Sequence, residues 1–274
     1  MRFVALFWLV ALFGILSPAA QADDVMQRAK ARGAFVVAAA PFPEQLPQAA
    51  RDAGGGYSGF DIDVATAIGK QLGLPVRFVS PGWEETLAGN WGGKWDFAVA
   101  SITPTEERER LLVFPAVYRF DAAALVVRKD NTSIERPGDA SGKTIGVRQG
   151  TTFENYLRRD LILYNNPNVA TYLIADPKIR TFDDRDLVVK ALVDRKVDAI
   201  VTSLALAEHD IASGAPLRVV PGFLFFEPVA VAVAKGDPEF ARLIGDAVRA
   251  LRADGTLTGL SEKWFGIDVA GIVP

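Results

Sequence analysis

Two periods of apolar and polar residues alternate along this chain. Residues 34–40 form a continuous apolar run, the mark of a strand buried on both faces of a parallel sheet. Pro41-Phe42-Pro43 ends it, and the polar, Gly-rich stretch 44–56 predicts a loop. Within 61–72, Ile62, Ala65, Ile68 and Leu72 recur at three- and four-residue steps and define one helical face. Asp61 is expected at its N-cap and Gly73 just past its end. Residues 76–79 and 96–101 read as strands, and 24–31, 83–88 and 105–111 as short helices. After Asp121 the alternation restarts. Strands are expected at 122–127, 144–148, 197–202, 217–220 and 229–234, and helices at 152–161, 184–193, 203–212, 238–252 and 257–264. The pattern predicts an α/β fold with mostly parallel strands, and its repetition predicts two similar lobes.

The first residues follow neither period. Met1 and Arg2 precede an apolar run over 3–16, Ser17-Pro18 breaks it, and Ala20-Gln21-Ala22 offers small residues for cleavage. This predicts a signal peptide over 1–22 and an exported, soluble protein. The alternative is an uncleaved anchor, but the run would span only about 21 Å of a ~30 Å hydrocarbon core.

Composition narrows the chemistry. Half of the 274 residues are hydrophobic and 23% are charged, which suits a packed core. A net charge of −3 leaves no basic surplus for a phosphate backbone, so no nucleic-acid partner is expected. With no cysteine there is no disulfide, thiolate nucleophile or Cys-ligated metal. His209 is the only histidine, which excludes a His-rich metal site and most Ser-His-Asp triads. No metal or cofactor is expected.

Several segments have two readings. Gly54-Gly55-Gly56-Tyr57-Ser58-Gly59 fits G-x-G-x-x-G, but a polar loop precedes it instead of a strand, so a flexible turn is expected. His209, between Glu208 and Asp210, reads as a solvated surface residue. Thr105-Glu106-Glu107-Arg108 is a capping-box variant or an anion cradle. The cradle gains weight from the preceding strand end, Ser101-Ile102-Thr103, because ligands of open α/β sheets bind at carboxyl ends of strands. There Arg108 would offer a bidentate fork to a carboxylate. Thr151 and Thr152, after Arg148-Gln149-Gly150, form either a second anion site or an ordinary N-cap. Trp83 walls a pocket or packs in the core.

Gly59-Phe60-Asp61-Ile62-Asp63-Val64-Ala65-Thr66-Ala67-Ile68-Gly69 resembles the signature of the bacterial extracellular solute-binding proteins of family 3, periplasmic polar amino acid receptors of ABC importers. Further segments are similar to that family, in order. They are Gly93-Lys94-Trp95-Asp96-Phe97, Thr105 to Arg108 with Phe114 and Tyr118, Gly142-Lys143 through Thr152, and Asp254-Gly255-Thr256-Leu257 with Lys263-Trp264-Phe265-Gly266.

The resemblance implies a two-lobe, type II periplasmic binding protein-like clamp. Lobe 1 would comprise 23–118 plus 227–274, and lobe 2 residues 122–225, with a two-strand hinge near 119–121 and 226–228. It places Arg108 on the ligand carboxylate, assisted by Ser101 and Thr103, with Thr151 and Thr152 closing from the other lobe. Trp83 and Phe42 would be aromatic walls, and Arg148 and Gln149 flank the closing loop. One departure stands out. Where the family's amino acid receptors carry an aspartate for the ligand ammonium, this chain has Ser203, leaving Asp183, Asp184 or Glu227 as substitutes. That departure, with Arg148, tilts the expectation toward a more acidic ligand such as a dicarboxylate. The implied protein is a monomeric receptor without covalent chemistry, delivering its ligand to an inner-membrane ABC permease. The alternatives are a cyclohexadienyl dehydratase-like enzyme on the same fold, or a sensor or accessory subunit.

Overall fold

The computed structural model describes residues 24–40, 48–51, 54–163 and 171–271. The expected leader over 1–22 and Phe42 lie outside them. In chain order the first elements are α1 (Val25–Arg32), β1 (Phe35–Ala38), β2 (Ala50–Arg51), β3 (Tyr57–Ser58), α2 (Phe60–Gln71), β4 (Val76–Val79) and α3 (Trp83–Leu87). Next come β5 (Phe97–Ile102), α4 (Glu106–Glu109), β6 (Leu112–Arg128), a 3₁₀ turn (Pro137–Ala140), β7 (Thr144–Arg148) and α5 (Thr152–Arg158). The rest are β8 (Lys178–Phe182), α6 (Arg185–Val193), β9 (Ala199–Ser203), α7 (Leu204–Ala212), β10 (Leu217–Val219), β11 (Phe225–Ala234), α8 (Pro238–Ala253) and α9 (Thr256–Phe265).

One sheet carries the strands in the order β4-β1-β5-β11-β6-β9-β7-β8, with β10 on β6 and a separate β2–β3 hairpin. Its two wings are parallel, with β1 between β4 and β5 and β7 between β8 and β9. The long strands β6 and β11 pair antiparallel and join the wings. This is the α/β architecture of two similar lobes that the sequence pattern predicts, with the two-strand connection that the resemblance implies. The apolar runs have their reason here, because each wing is covered on both faces. In the first wing, Phe35, Phe97, Phe240 and Ile244 pack on one side and Trp91, Trp95 and Ile102 on the other. In the second, Ile145, Tyr156 and Val201 pack opposite Val188, Leu192 and Ile200.

Three local expectations are corrected. Asp61 is not the N-cap of α2; that position is Gly59, and Asp61 is the second residue of the helix, fully buried. Only glycine fits at 59, where φ is 121° and a Cβ would sit 2.7 Å from Ala49 Cα and the Gln48 carbonyl oxygen. The strand expected from 122 begins at Leu112, and its polar residues and Pro115 hid it. Pro115 is tolerated because in that half β6 pairs only with β11 and is an edge. Strand β8 was not expected at all: as an edge strand it carries Lys178 and Arg180 and shows no apolar run.

Where β6 and β11 cross between the wings, Asp121 pairs with Glu227 and Phe120 with Pro228. Successive residues of a strand face opposite sides. Arg119, Asp121 and Glu227 line a cleft between the two halves, while Phe120, Ala122 and Phe226 line an apolar groove behind it.

Candidate functional site

The first wall of the cleft is the carboxyl end of β5 and the turn into α4. Ser101 has φ 51°, a left-handed conformation uncommon for serine. A buried network holds it there. Its Oγ donates to Asp61 Oδ2 at 2.7 Å and accepts from Arg119 Nη2 at 2.9 Å. Its N–H donates to the Tyr118 hydroxyl at 3.2 Å, which itself donates to Asp61 Oδ1 at 2.9 Å. Burial raises the Asp61 pKa despite Arg119, Ser101 and Tyr118, each of which favours the carboxylate. Thr105 caps α4 by accepting from the Arg108 N–H. The cap sends the Arg108 side chain into the cleft, where it is buried and donates through Nη1 to the Thr103 carbonyl at 2.8 Å.

The two halves meet over this arginine. Arg108 Nη2 donates to the Gly150 carbonyl at 3.0 Å, and Trp83 Nε1 donates to the same oxygen at 3.1 Å. The Arg108 and Arg148 guanidinium carbons lie 5.4 and 5.5 Å from the centre of a Trp83 ring, within cation–π range. Trp83 therefore fulfils both of its readings: it packs partly on the first wing's core and bridges the cleft. Burial pushes Arg108 down to about 10, opposed by Glu227 and Glu107, so it remains charged at neutral pH. Arg148 is also lowered by burial, and its Nε has no hydrogen-bond partner among the described residues.

The second wall begins with Thr151, which is the N-cap of α5 and also donates to the Arg148 carbonyl at 2.7 Å. Thr152 is buried and donates to Glu227 Oε2 at 2.5 Å. Ser203, at the end of β9, donates to Asp121 Oδ1 at 3.0 Å. Thus Arg108, Ser101, Thr103, Trp83, Arg148, Thr151, Thr152 and Ser203 all line one cleft. Gln149 does not: it is exposed, and its backbone N–H binds the Phe182 carbonyl.

The hinge strands supply what the sequence reading left out. Asp121 lies at the cleft with Arg119 Nη1 at 3.3 Å from its Oδ2. Glu227, one of three substitutes named for the missing acid, is there too. Asp184 instead caps α6, and neither it nor Asp183 lines the cleft. Burial first and Asp121 second push Glu227 up to about 7, against Thr152, Thr103 and Arg108. Burial lowers Arg119, but Asp121 and Asp61 more than offset it and hold the guanidinium above its ordinary range. Two further cleft residues were missed. Arg185 is buried in an ion pair with Asp210, and Gln48 has neither side-chain amide atom hydrogen-bonded among the described residues. The available signal was a charged residue interrupting an apolar strand, as in Phe120-Asp121-Ala122 and Phe226-Glu227-Pro228.

Among the described residues no cluster of three His or acidic side chains could hold a metal, and no helix is long and apolar enough to cross a membrane. His209 lies on α7 beside the groove behind the hinge, away from the cleft.

The model of the bacterial extracellular solute-binding proteins, family 3, matches residues 39–267. The L-cystine-binding protein TcyJ of Escherichia coli is 28% identical over 95% of this chain and 93% of its own length. An ancestral arginine-binding protein, solved with arginine bound, is 33% identical with a TM-score of 0.70, covering 86% of this chain and 99% of that one. The ancestral amino acid-binding protein AncCDT-1, a precursor of cyclohexadienyl dehydratase, is 29% identical with a TM-score of 0.74, over 88% and 98%.

Proposed function

The chain belongs to the bacterial extracellular solute-binding proteins, family 3, and from that premise we propose that it is a periplasmic receptor that captures an amino acid or related small carboxylate by lobe closure and hands it to an ABC transporter permease. One observation carries the reading. The Arg108 guanidinium is buried where the two halves meet, donates to two backbone carbonyls, and has no carboxylate within ion-pair distance among the described residues. A ligand carboxylate is its natural partner. Ser101 and Thr103 would assist from the first lobe, and Arg148, Thr151 and Thr152 from the second. A ligand gripped by both walls favours the closed form and shifts the hinge equilibrium.

The lobe boundaries that go with this reading are 23–118 plus 227–274 and 122–225, with residues 1–22 as a cleaved leader and a monomer as the working form. Relatives that bind arginine and cystine support an amino acid class of ligand. A thermal-shift screen over amino acids, dicarboxylates and other organic acids tests the reading. A true ligand at 100 times its Kd stabilises by about 2.7 kcal/mol. Arg108→Ala is expected to remove that shift, because truncating one partner of a buried charge pair costs roughly 2–5 kcal/mol of affinity. No shift with any compound, or a full shift in the variant, would overturn it.

Glu227 favours a second reading. A buried carboxyl near 7 in a cleft meets the requirement for a general acid, and one structural neighbour is a dehydratase precursor. A dehydratase of this kind would convert prephenate into phenylpyruvate, carbon dioxide and water. Incubation with prephenate, read by phenylpyruvate absorbance, separates the two; the receptor reading expects no product.

A further inference from the structure

We propose that Asp121 and Glu227, facing one another across the hinge strands, form the anionic half of the binding site and hold the ammonium group of a zwitterionic α-amino acid whose carboxylate lies on Arg108. The inference rests on the receptor reading above and narrows its ligand class.

The placement comes from strand register. Asp121 and Glu227 are direct partners in the β6–β11 ladder, so their side chains share a face, and that face lines the cleft. Like charges directly opposed in a ladder are destabilising, so such a pair calls for a cation. The resident cation is Arg119, but it is shared. Its Nη1 lies 3.3 Å from Asp121, and the Asp61 charge acts on it as well. On the hinge side Asp61 and Asp121 therefore share one guanidinium. Arg108 is the positive charge that acts on Glu227, and a bound carboxylate would neutralise it. With that carboxylate in place, the hinge end of the cleft is net acidic and complements an ammonium.

Both acids are held in position. Ser203 Oγ and the Ala122 N–H donate to Asp121 Oδ1 at 3.0 and 2.9 Å, and Thr152 donates to Glu227 Oε2. The serine that departs from the family pattern thus hydrogen-bonds the hinge aspartate. Elsewhere in the lining, Arg108 and Arg148 flank Trp83. The cleft thus offers cations for a carboxylate, the two acids for an ammonium, and an apolar surface of Val188, Ile200 and Leu206 for a side chain. A dicarboxylate would set its second charge against Asp121 and Glu227, which reverses the tilt toward acidic ligands taken from the sequence.

Titration calorimetry on matched pairs tests this. The pairs are L-arginine with 5-guanidinopentanoate, L-glutamate with glutarate, and L-leucine with 4-methylpentanoate. In the pair the protein accepts, the amino member should bind about 100-fold more tightly, as expected for hydrogen bonds to two charged groups. Asp121→Asn should weaken that member by about 10- to 100-fold and leave the des-amino member unchanged. General damage to the cleft would weaken both alike. Should Asp121→Asn fail to fold, the wild-type protein still decides. An ammonium beside Glu227, whose other facing groups are Asp121, Arg108, Thr103 and Thr152, favours its ionised form. Binding at pH 7 should then release protons, seen as a dependence of the apparent enthalpy on the buffer's ionisation enthalpy. Equal binding within every pair, parallel weakening in the variant, or no proton release would overturn the assignment and leave the receptor reading standing. If no member of any pair binds, both fall.

Discussion

The two walls of the cleft are built differently. On the first, Ser101 is fixed by Asp61, Tyr118 and Arg119, all three buried, and Arg108 is aimed by the Thr105 cap. On the second, Arg148 makes no side-chain hydrogen bond through its Nε among the described residues, and Thr151 does the work of an ordinary helix cap. The first wall is held by bonds within its own half, and the second makes its bonds across the cleft, between Gly150 and Arg108 and between Thr152 and Glu227. Binding energy at a preset wall is not drained by ordering side chains, which is why preorganisation raises affinity. The sharpest way to break the comparison is to remove one support from each side. Asp61→Ala leaves the Ser101 and Tyr118 hydroxyls without their shared acceptor, removes a charge that favours Arg119, and is expected to cost about 3–5 kcal/mol of stability, as for other broken buried pairs. Arg148→Ala should cost only about 0.5–1 kcal/mol, the worth of its cation–π contact with Trp83. Urea unfolding of both variants without ligand measures this, and equal costs would erase the distinction between the walls.

The same contrast explains what could be read from the chain alone. Residues 34–40, 96–101 and 144–148 showed themselves because a strand buried on both faces must be apolar. Arg108 and the two threonines at 151 and 152 were legible because caps and strand ends occur at recognisable spacings. Of the hinge acids, Glu227 stood only as one of three candidates and Asp121 was not seen. The two come together through a register between residues more than a hundred positions apart, and no local period encodes that. Asp61 misled for a related reason. An aspartate opening a helix is ordinarily a cap, and only the tertiary position of Ser101 and Tyr118 turns it into a buried acceptor. Asp184 stood in the sequence as a candidate for the cleft, yet its carboxylate is occupied at the N-terminus of α6.

Glu227 sits between the walls and makes the comparison depend on pH. Its folded pKa, about 7, lies above the ordinary 4.5. Between those values the folded protein keeps a proton that the unfolded chain has lost. Stability from this group is therefore present at low pH and declines as pH rises through the window, by about 3 kcal/mol in all. Asp61 and Asp96, also raised by burial, act in the same direction. The difference between wild type and Glu227→Gln isolates the one group. Urea midpoints measured from pH 4 to 8 should fall less steeply in the variant, and parallel curves would show that Glu227 titrates normally.

A smaller effect than that of Glu227 is expected at Thr151, where the two roles of the second wall can be told apart. Its Oγ accepts from the Glu154 N–H at 3.4 Å and donates to the Arg148 carbonyl at 2.7 Å. Losing a threonine cap costs about 1 kcal/mol, so Thr151→Ala should lower unfolding stability by that amount. If the hydroxyl only shapes the loop, affinity for a ligand found by the thermal-shift screen changes little. If it also meets the ligand carboxylate, affinity falls by up to about tenfold, the worth of one hydrogen bond. Serine restores the hydroxyl without the methyl, so Thr151→Ser should recover both quantities. A second wall that loses stability while binding normally is scaffolding around Arg148 and Thr152, whereas one that loses both is a gripping surface in its own right.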